Sequence, residues 1–236
     1  MSVKNTFLNL FFPPKCTFCS RILEQSGLFI CPDCQRSLPW LTGSAAERKV
    51  EFASLCVSPL RYKAPVDASI LRFKFSGRSW YAKTYGVLTA QCVQDHLTGK
   101  YDLISWVPVS RKRKRKRGYD QAFLLARETA KHLGETLLPT LEKVRHNKAQ
   151  SSLEDDAARR ANVLGAYRVL DPVQIEGKRV LLVDDVVTPD RRCLNVPVPC
   201  AWQVQRMCCV LPWPKPENNP KFSENMLKKR PDVEKT

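Results

Sequence analysis

The chain has 236 residues, with 39 Lys and Arg against 23 Asp and Glu, for a net charge of +16. That length suits one sizeable α/β domain plus a small module, and the charge favours acidic partners such as phosphates or nucleic acid. No apolar run approaches the length of a membrane span, so no membrane contact is expected.

Residues 1–15 carry a short apolar patch (Phe7, Leu8, Leu10, Phe11, Phe12) cut off by Pro13-Pro14. A single Lys and no small-residue cleavage site argue against a signal peptide, so a short helix docking on the domain and a cytoplasmic chain are expected. Ten cysteines without export point to metal or free thiols rather than disulfides. Cys16-Thr17-Phe18-Cys19 and Cys31-Pro32-Asp33-Cys34 form two C-x-x-C knuckles. Each aims two thiolates at one point, and four soft ligands in a tetrahedron suit Zn²⁺. A redox pair needs only one knuckle, so Cys16, Cys19, Cys31 and Cys34 are assigned to a closed structural zinc site without catalysis.

Residues 40–49 read as a linker around Thr42-Gly43-Ser44, and Phe52 to Leu60 as a strand. Helical periodicity covers Val66 to Phe75, and Gly77 provides a C-terminal stop. A second helix runs from Trp80 to Leu97. Cys56 and Cys92 are expected in the core, and His96 to be a capping or solvated group. Asp102 to Val109 forms a buried strand. The cationic run Arg111-Lys112-Arg113-Lys114-Arg115-Lys116-Arg117 follows, then Gly118 and a helix to about Leu133. Seven adjacent cations cannot be buried. Three readings stay open: a solvated loop, a nucleic-acid contact releasing counterions, or a pyrophosphate loop at the carboxyl edge of a sheet. No aromatic interleaves the cations, so base stacking has no support in this run.

Leu141 to Ser152 is a polar segment, Leu153 to Ala161 is helical, and Gly165 to Leu170 is a strand. Arg159 and Arg160 suit a helix surface, and His146 a solvated loop. Asp171 to Lys178 turns into Val180-Leu181-Leu182-Val183-Asp184-Asp185-Val186-Val187-Thr188. An apolar, mostly β-branched run of this length reads as a parallel strand buried on both faces. Ligands of such sheets sit beyond the carboxyl ends of the strands, where Asp184 and Asp185 fall. Adjacent carboxylates need compensation; a sugar diol, basic groups or Mg²⁺ would supply it.

These residues carry a resemblance. Val180 to Thr188 resembles the phosphoribosyl-pyrophosphate (PRPP) signature of type I phosphoribosyltransferases. Val107-Pro108-Val109, Arg117-Gly118-Tyr119-Asp120-Gln121-Ala122 with Leu125-Ala126, Arg145 with Gln150 and Leu153, Arg159-Arg160, Asn162-Val163 and Gly165-Ala166-Tyr167 resemble the ComF/GntX family. So does the four-cysteine module, and the match covers residues from about Leu8 to Thr188. The resemblance implies a type I phosphoribosyltransferase-like parallel sheet (50–188) behind a zinc-ribbon-like module (1–45). It makes Asp184 and Asp185 the catalytic acid pair. It gives PRPP binding to Thr188, Val109, Ser110, Arg111, Arg117 and Gly118, with Mg²⁺, and makes Arg145 and Gln150 part of a mobile flap. It also implies a role in competence, with single-stranded DNA or competence DNA-handling proteins as partners. The alternative is a nucleic-acid-associated competence factor without catalysis. The family usually has Asn where this chain has Asp120.

The pattern breaks after Thr188. The family loop Thr-Thr-Gly-x-Thr would wrap a 5′-phosphate with backbone N–H groups, but here it reads Thr188-Pro189-Asp190-Arg191-Arg192. Residues 189–236 contain no glycine and many prolines, so an irregular, aberrant tail is expected. Loss of one base around codons 188–189 accounts for it. The other frame permits Thr-Thr-Gly-Ser-Thr-Leu there, and farther on an amphipathic helix, a glycine stop and a strand start. The expected consequence is an unpaired edge on the central strand and a weak or inactive enzyme.

Overall fold

The computed structural model describes residues 13–23, 29–50, 53–144, 166–185 and 204–208. The N-terminal patch, the flap residues Arg145 and Gln150, His146, Arg159, Arg160 and the loop residue Thr188 lie outside these.

In the N-terminal module, Lys15 and Ile22 bridge the first knuckle, and α1 (Pro32–Ser37) carries the second. The expected linker is instead structured. Residues Gly43–Ala46 make a 3-10 turn, and β1 (Glu47–Val50) pairs antiparallel with β2 (Ala53–Val57). Backbone donors and acceptors of the β2 edge are satisfied this way. Helices α2 (Val66–Phe75) and α3 (Tyr81–Leu97) follow. Then come β3 (Leu103–Trp106), α4 (Arg111–Arg117) and α5 (Gln121–Leu133). Next are β4 (Leu141–Lys143), β5 (Tyr167–Val169), the short α6 (Pro172–Ile175), β6 (Val180–Asp184) and β7 (Val204–Cys208).

The main sheet has the order β1-β2-β7-β6-β3, and β2, β7, β6 and β3 run parallel. A separate antiparallel ribbon joins β4 to β5. Residues 180–183 of β6 are buried, as the unbroken apolar run requires of a strand covered on both faces. The expected unpaired edge and wholly irregular tail are overturned here: β7, from the tail, pairs with β6 from Val180↔Val204 to Asp184↔Cys208. A strand satisfies its backbone groups with any neighbour of suitable length, whatever the side chains.

Helices α3 and α5 pack closely on each other. A Cβ added at Gly86 would lie 2.4 Å from the Glu128 Cβ, so the contact needs glycine. One core cluster unites the parts: Phe18 and Cys16 of the first knuckle join Phe73, Tyr85, Leu125, Ile104 and Leu181. Cys56 and Cys92 are buried, as expected. His96 has a specific partner, its Nδ1 lying 2.9 Å from Glu47 Oε1. Among the described residues no helix is long and apolar enough to cross a membrane.

Candidate functional site

The four knuckle sulfurs converge. Those of Cys16, Cys19, Cys31 and Cys34 all lie within 4.8 Å of one another. A tetrahedral Zn²⁺ with bonds of about 2.3 Å spans sulfurs about 3.8 Å apart, so the set fits the metal. Local structure aims them. Cys31 N-caps α1, accepting from the Cys34 N–H at 3.4 Å, and Pro32 starts the helix. The Cys31 N–H donates to Cys16 Sγ at 3.4 Å. Burial pushes the Cys16 thiol up, but the N–H groups of Cys19, Cys31 and Phe18 outweigh it and bring it down to about 7. Burial and the neighbouring sulfurs push Cys34 up. A divalent cation supplies the charge that holds all four as thiolates. Cys16, Cys31 and Cys34 are buried, so the cluster offers little access to a substrate.

The second cluster lies at the carboxyl end of β6. Asp184 ends the strand and Asp185 follows, its N–H donating to Asp184 Oδ1 at 2.7 Å. Lys74, one residue before the end of α2, places Nζ 3.0 Å from Asp185 Oδ1, with only 12 % and 13 % of the two side chains exposed. Arg117, the last residue of α4, donates to Gln121 Oε1 at 2.6 Å and lies over the Phe75 ring at 5.0 Å. Burial lowers the Arg117 guanidinium, and the Asp185 carboxylate opposes that effect. Gln121 in turn donates to the Lys74 carbonyl at 3.5 Å, and the Tyr119 hydroxyl donates to the Phe73 carbonyl. These contacts tie the C-terminus of α2, the C-terminus of α4 and the start of α5 to the strand end.

The cationic run is a helix rather than a loop. Ser110 caps it by accepting from the Arg113 N–H at 3.3 Å, and Gly118 closes it at φ 83°. Arg113 and Arg117, four residues apart on one face, are half-buried; Arg111, Lys112, Lys114, Arg115 and Lys116 are exposed. Arg111 faces Glu142 at 3.5 Å. Asp120 caps α5, accepting from Phe123 N–H at 3.1 Å and from Val109 N–H at 3.0 Å. Burial raises its carboxyl, against the pull of those two N–H groups. The backbone N–H of Val109, a residue assigned to PRPP binding by the resemblance, is thus engaged by Asp120.

Of the residues singled out in the sequence, Asp185 and Arg117 come together, with Ser110 and Gly118 as the caps of the basic helix. The sequence reading gives no site role to Lys74 or Phe75, and none to Gln121 although it lies within the motif that carries the resemblance. In sequence Lys74 and Phe75 are only the end of a helix before Gly77, and nothing local marks their long-range partners.

Comparison with known proteins agrees with the four-cysteine cluster. Residues 7–48 match the double zinc ribbon domain family. The chain is 28 % identical over 200 residues to competence protein F of Haemophilus influenzae, covering 75 % of this chain and 86 % of the relative. It is 32 % identical over 183 residues to the DNA utilization protein YhgH of Salmonella typhimurium, covering 73 % of this chain and 78 % of that protein. The same figures hold for YhgH of Salmonella typhi. With this identity and coverage, behind a four-cysteine ribbon, the chain belongs to the family of competence protein F and YhgH.

Proposed function

We propose that this protein handles a phosphosugar, PRPP or a close relative, at the carboxyl end of β6, in the context of DNA uptake and use that its relatives' names denote. One observation carries the reading: an acid pair at the end of a buried parallel strand, of which Asp185 holds Lys74 at 3.0 Å and acts electrostatically on Arg117. Carboxylates there accept hydrogen bonds from a sugar diol. The half-buried cations Arg113 and Arg117 suit a pyrophosphate, whose charge grows as the bond to the sugar breaks. Lys74 Nζ holds one oxygen of Asp185 and supplies there the positive charge that Mg²⁺ would otherwise supply. In this reading the metal comes in on the pyrophosphate.

Under this proposal the segment after Thr188 limits the chain. Pro189 lacks an N–H and Asp190 adds negative charge where the 5′-phosphate would sit. Calorimetry with PRPP and Mg²⁺ is expected to show weak binding by the chain as it stands. Tight binding is expected once the Thr-Thr-Gly-Ser-Thr-Leu frame is restored, and its loss with Asp184→Asn. Failure of the restored chain to bind would refute the phosphosugar reading. Sequencing the gene across codons 188–189 tests the frameshift itself.

The exposed cations of α4 favour a second reading, a contact to the backbone of single-stranded DNA. It requires affinity that falls steeply with salt and survives Asp184→Asn.

A further inference from the structure

Phe75 ends α2 with its side chain 63 % exposed. Its neighbour Lys74 turns the other way, onto Asp185 at 3.0 Å. A single exposed apolar residue is ordinary, but this one has an unusual setting. The Arg117 guanidinium lies over the ring at 5.0 Å, and Arg117 is itself fixed at 2.6 Å by Gln121. The Gln121 amide closes the loop on the Lys74 carbonyl. Ring, guanidinium and acid pair thus form one connected group, with most of the ring left in water. A cation behind an aromatic ring holds it in place, and an open aromatic face beside cations is how proteins bind nucleobases without reading their edges.

We propose that Phe75, backed by Arg117, is a stacking platform for a nucleobase, so that the group bound next to the sugar is a planar heteroaromatic base. The proposal rests on the phosphosugar reading of Asp184 and Asp185 and names the class of molecule attached to that sugar. The platform has no hydrogen-bonding edge of its own. It therefore selects bases as a class, by flatness, over aliphatic acceptors.

Adenosine monophosphate and ribose 5-phosphate differ by the base alone and make the test direct. Ligand-observed NMR at millimolar concentration on the full chain reads both affinities. The nucleotide is expected to bind roughly tenfold tighter, the size of one base–aromatic stack. Phe75→Ala should erase that gap and Phe75→Trp should keep it. The exposed position makes misfolding of either variant easy to exclude by its melting temperature. Equal affinities in the wild-type chain, or a gap that survives Phe75→Ala, would overturn the platform while leaving the phosphosugar reading intact. Binding of neither compound, by this chain or by the frame-restored one, would overturn both. A third arm uses oligothymidylate. If Phe75→Ala weakens the oligonucleotide but not the nucleotide, the ring serves a DNA strand and the nucleotide assignment falls.

Discussion

Lys74 and Asp185 illustrate how much one contact decides. Their side chains are almost wholly withdrawn from water, at 12 % and 13 % exposure. Such a pair adds little net stability compared with apolar groups, but breaking it strands a charge. Lys74→Met leaves Asp185, beside Asp184, without its direct ion-pair partner, at a cost of roughly 3 kcal/mol in denaturant unfolding. Adding Asp185→Asn to that variant should recover most of the loss, because the stranded charge is gone. Additive losses in the double variant would mean that the two side chains do not act as a pair. Asp120 works differently. Its two carboxylate oxygens serve two separate N–H groups, which joins the loop after β3 to the first turn of α5.

Among the elements, α4 shows local rules yielding to context. Mutual repulsion of seven cations argues for a loop, yet a serine cap, a glycine stop and an anchored Arg117 make it a helix. At the opposite end of the sheet, Arg179 clamps Asp102. Its guanidinium donates to both carboxylate oxygens, and its N–H to Oδ2 at 2.7 Å, joining the starts of β3 and β6. The Arg179 hydrogen bonds hold the Asp102 carboxyl down at about 2. A carboxyl depressed in the folded state contributes stability above the usual carboxylate range and loses it as pH falls through the folded value. Stability measured from pH 5 down to pH 2 should therefore fall less steeply in Arg179→Met than in the wild-type chain. Parallel curves would show that this clamp carries no proton linkage.

For the whole molecule, the zinc ribbon is built into the fold rather than tethered to it. Ser69 donates to the Thr17 carbonyl at 2.8 Å, Arg72 donates to the Phe18 carbonyl at 2.6 Å, and Phe18 packs edge-on against Tyr85. The helix bearing Ser69 and Arg72 is the one that delivers Lys74 to Asp185 and Phe75 to Arg117. Chelating the metal should therefore lower the melting temperature of the entire chain in a single transition, by roughly 10 °C or more. Two transitions, the larger unmoved by chelator, would show that the ribbon is an independent unit. The tail teaches a related lesson. Residues 204–208 take the position between β2 and β6, although the sequence after Thr188 departs from the family pattern.

The sequence by itself determined the metal-binding cysteines, the buried parallel strand with its terminal acids, and the positions of the three longest helices among the described residues. Each is a local signal: ligand spacing, an unbroken apolar run, or a 3.6-residue period with a glycine stop. It also carried the family resemblance, through the order of those signals. Only the tertiary structure decided which side chains meet. The basic run contains no aromatic, yet folding lays Arg117 over Phe75, forty-two positions earlier in the chain. Lys74, unremarkable at a helix end, becomes the partner of Asp185 across 111 positions. Such contacts depend on how helices cross a sheet and which termini share its edge. That geometry is set by packing among many distant residues, so no short stretch of sequence encodes it.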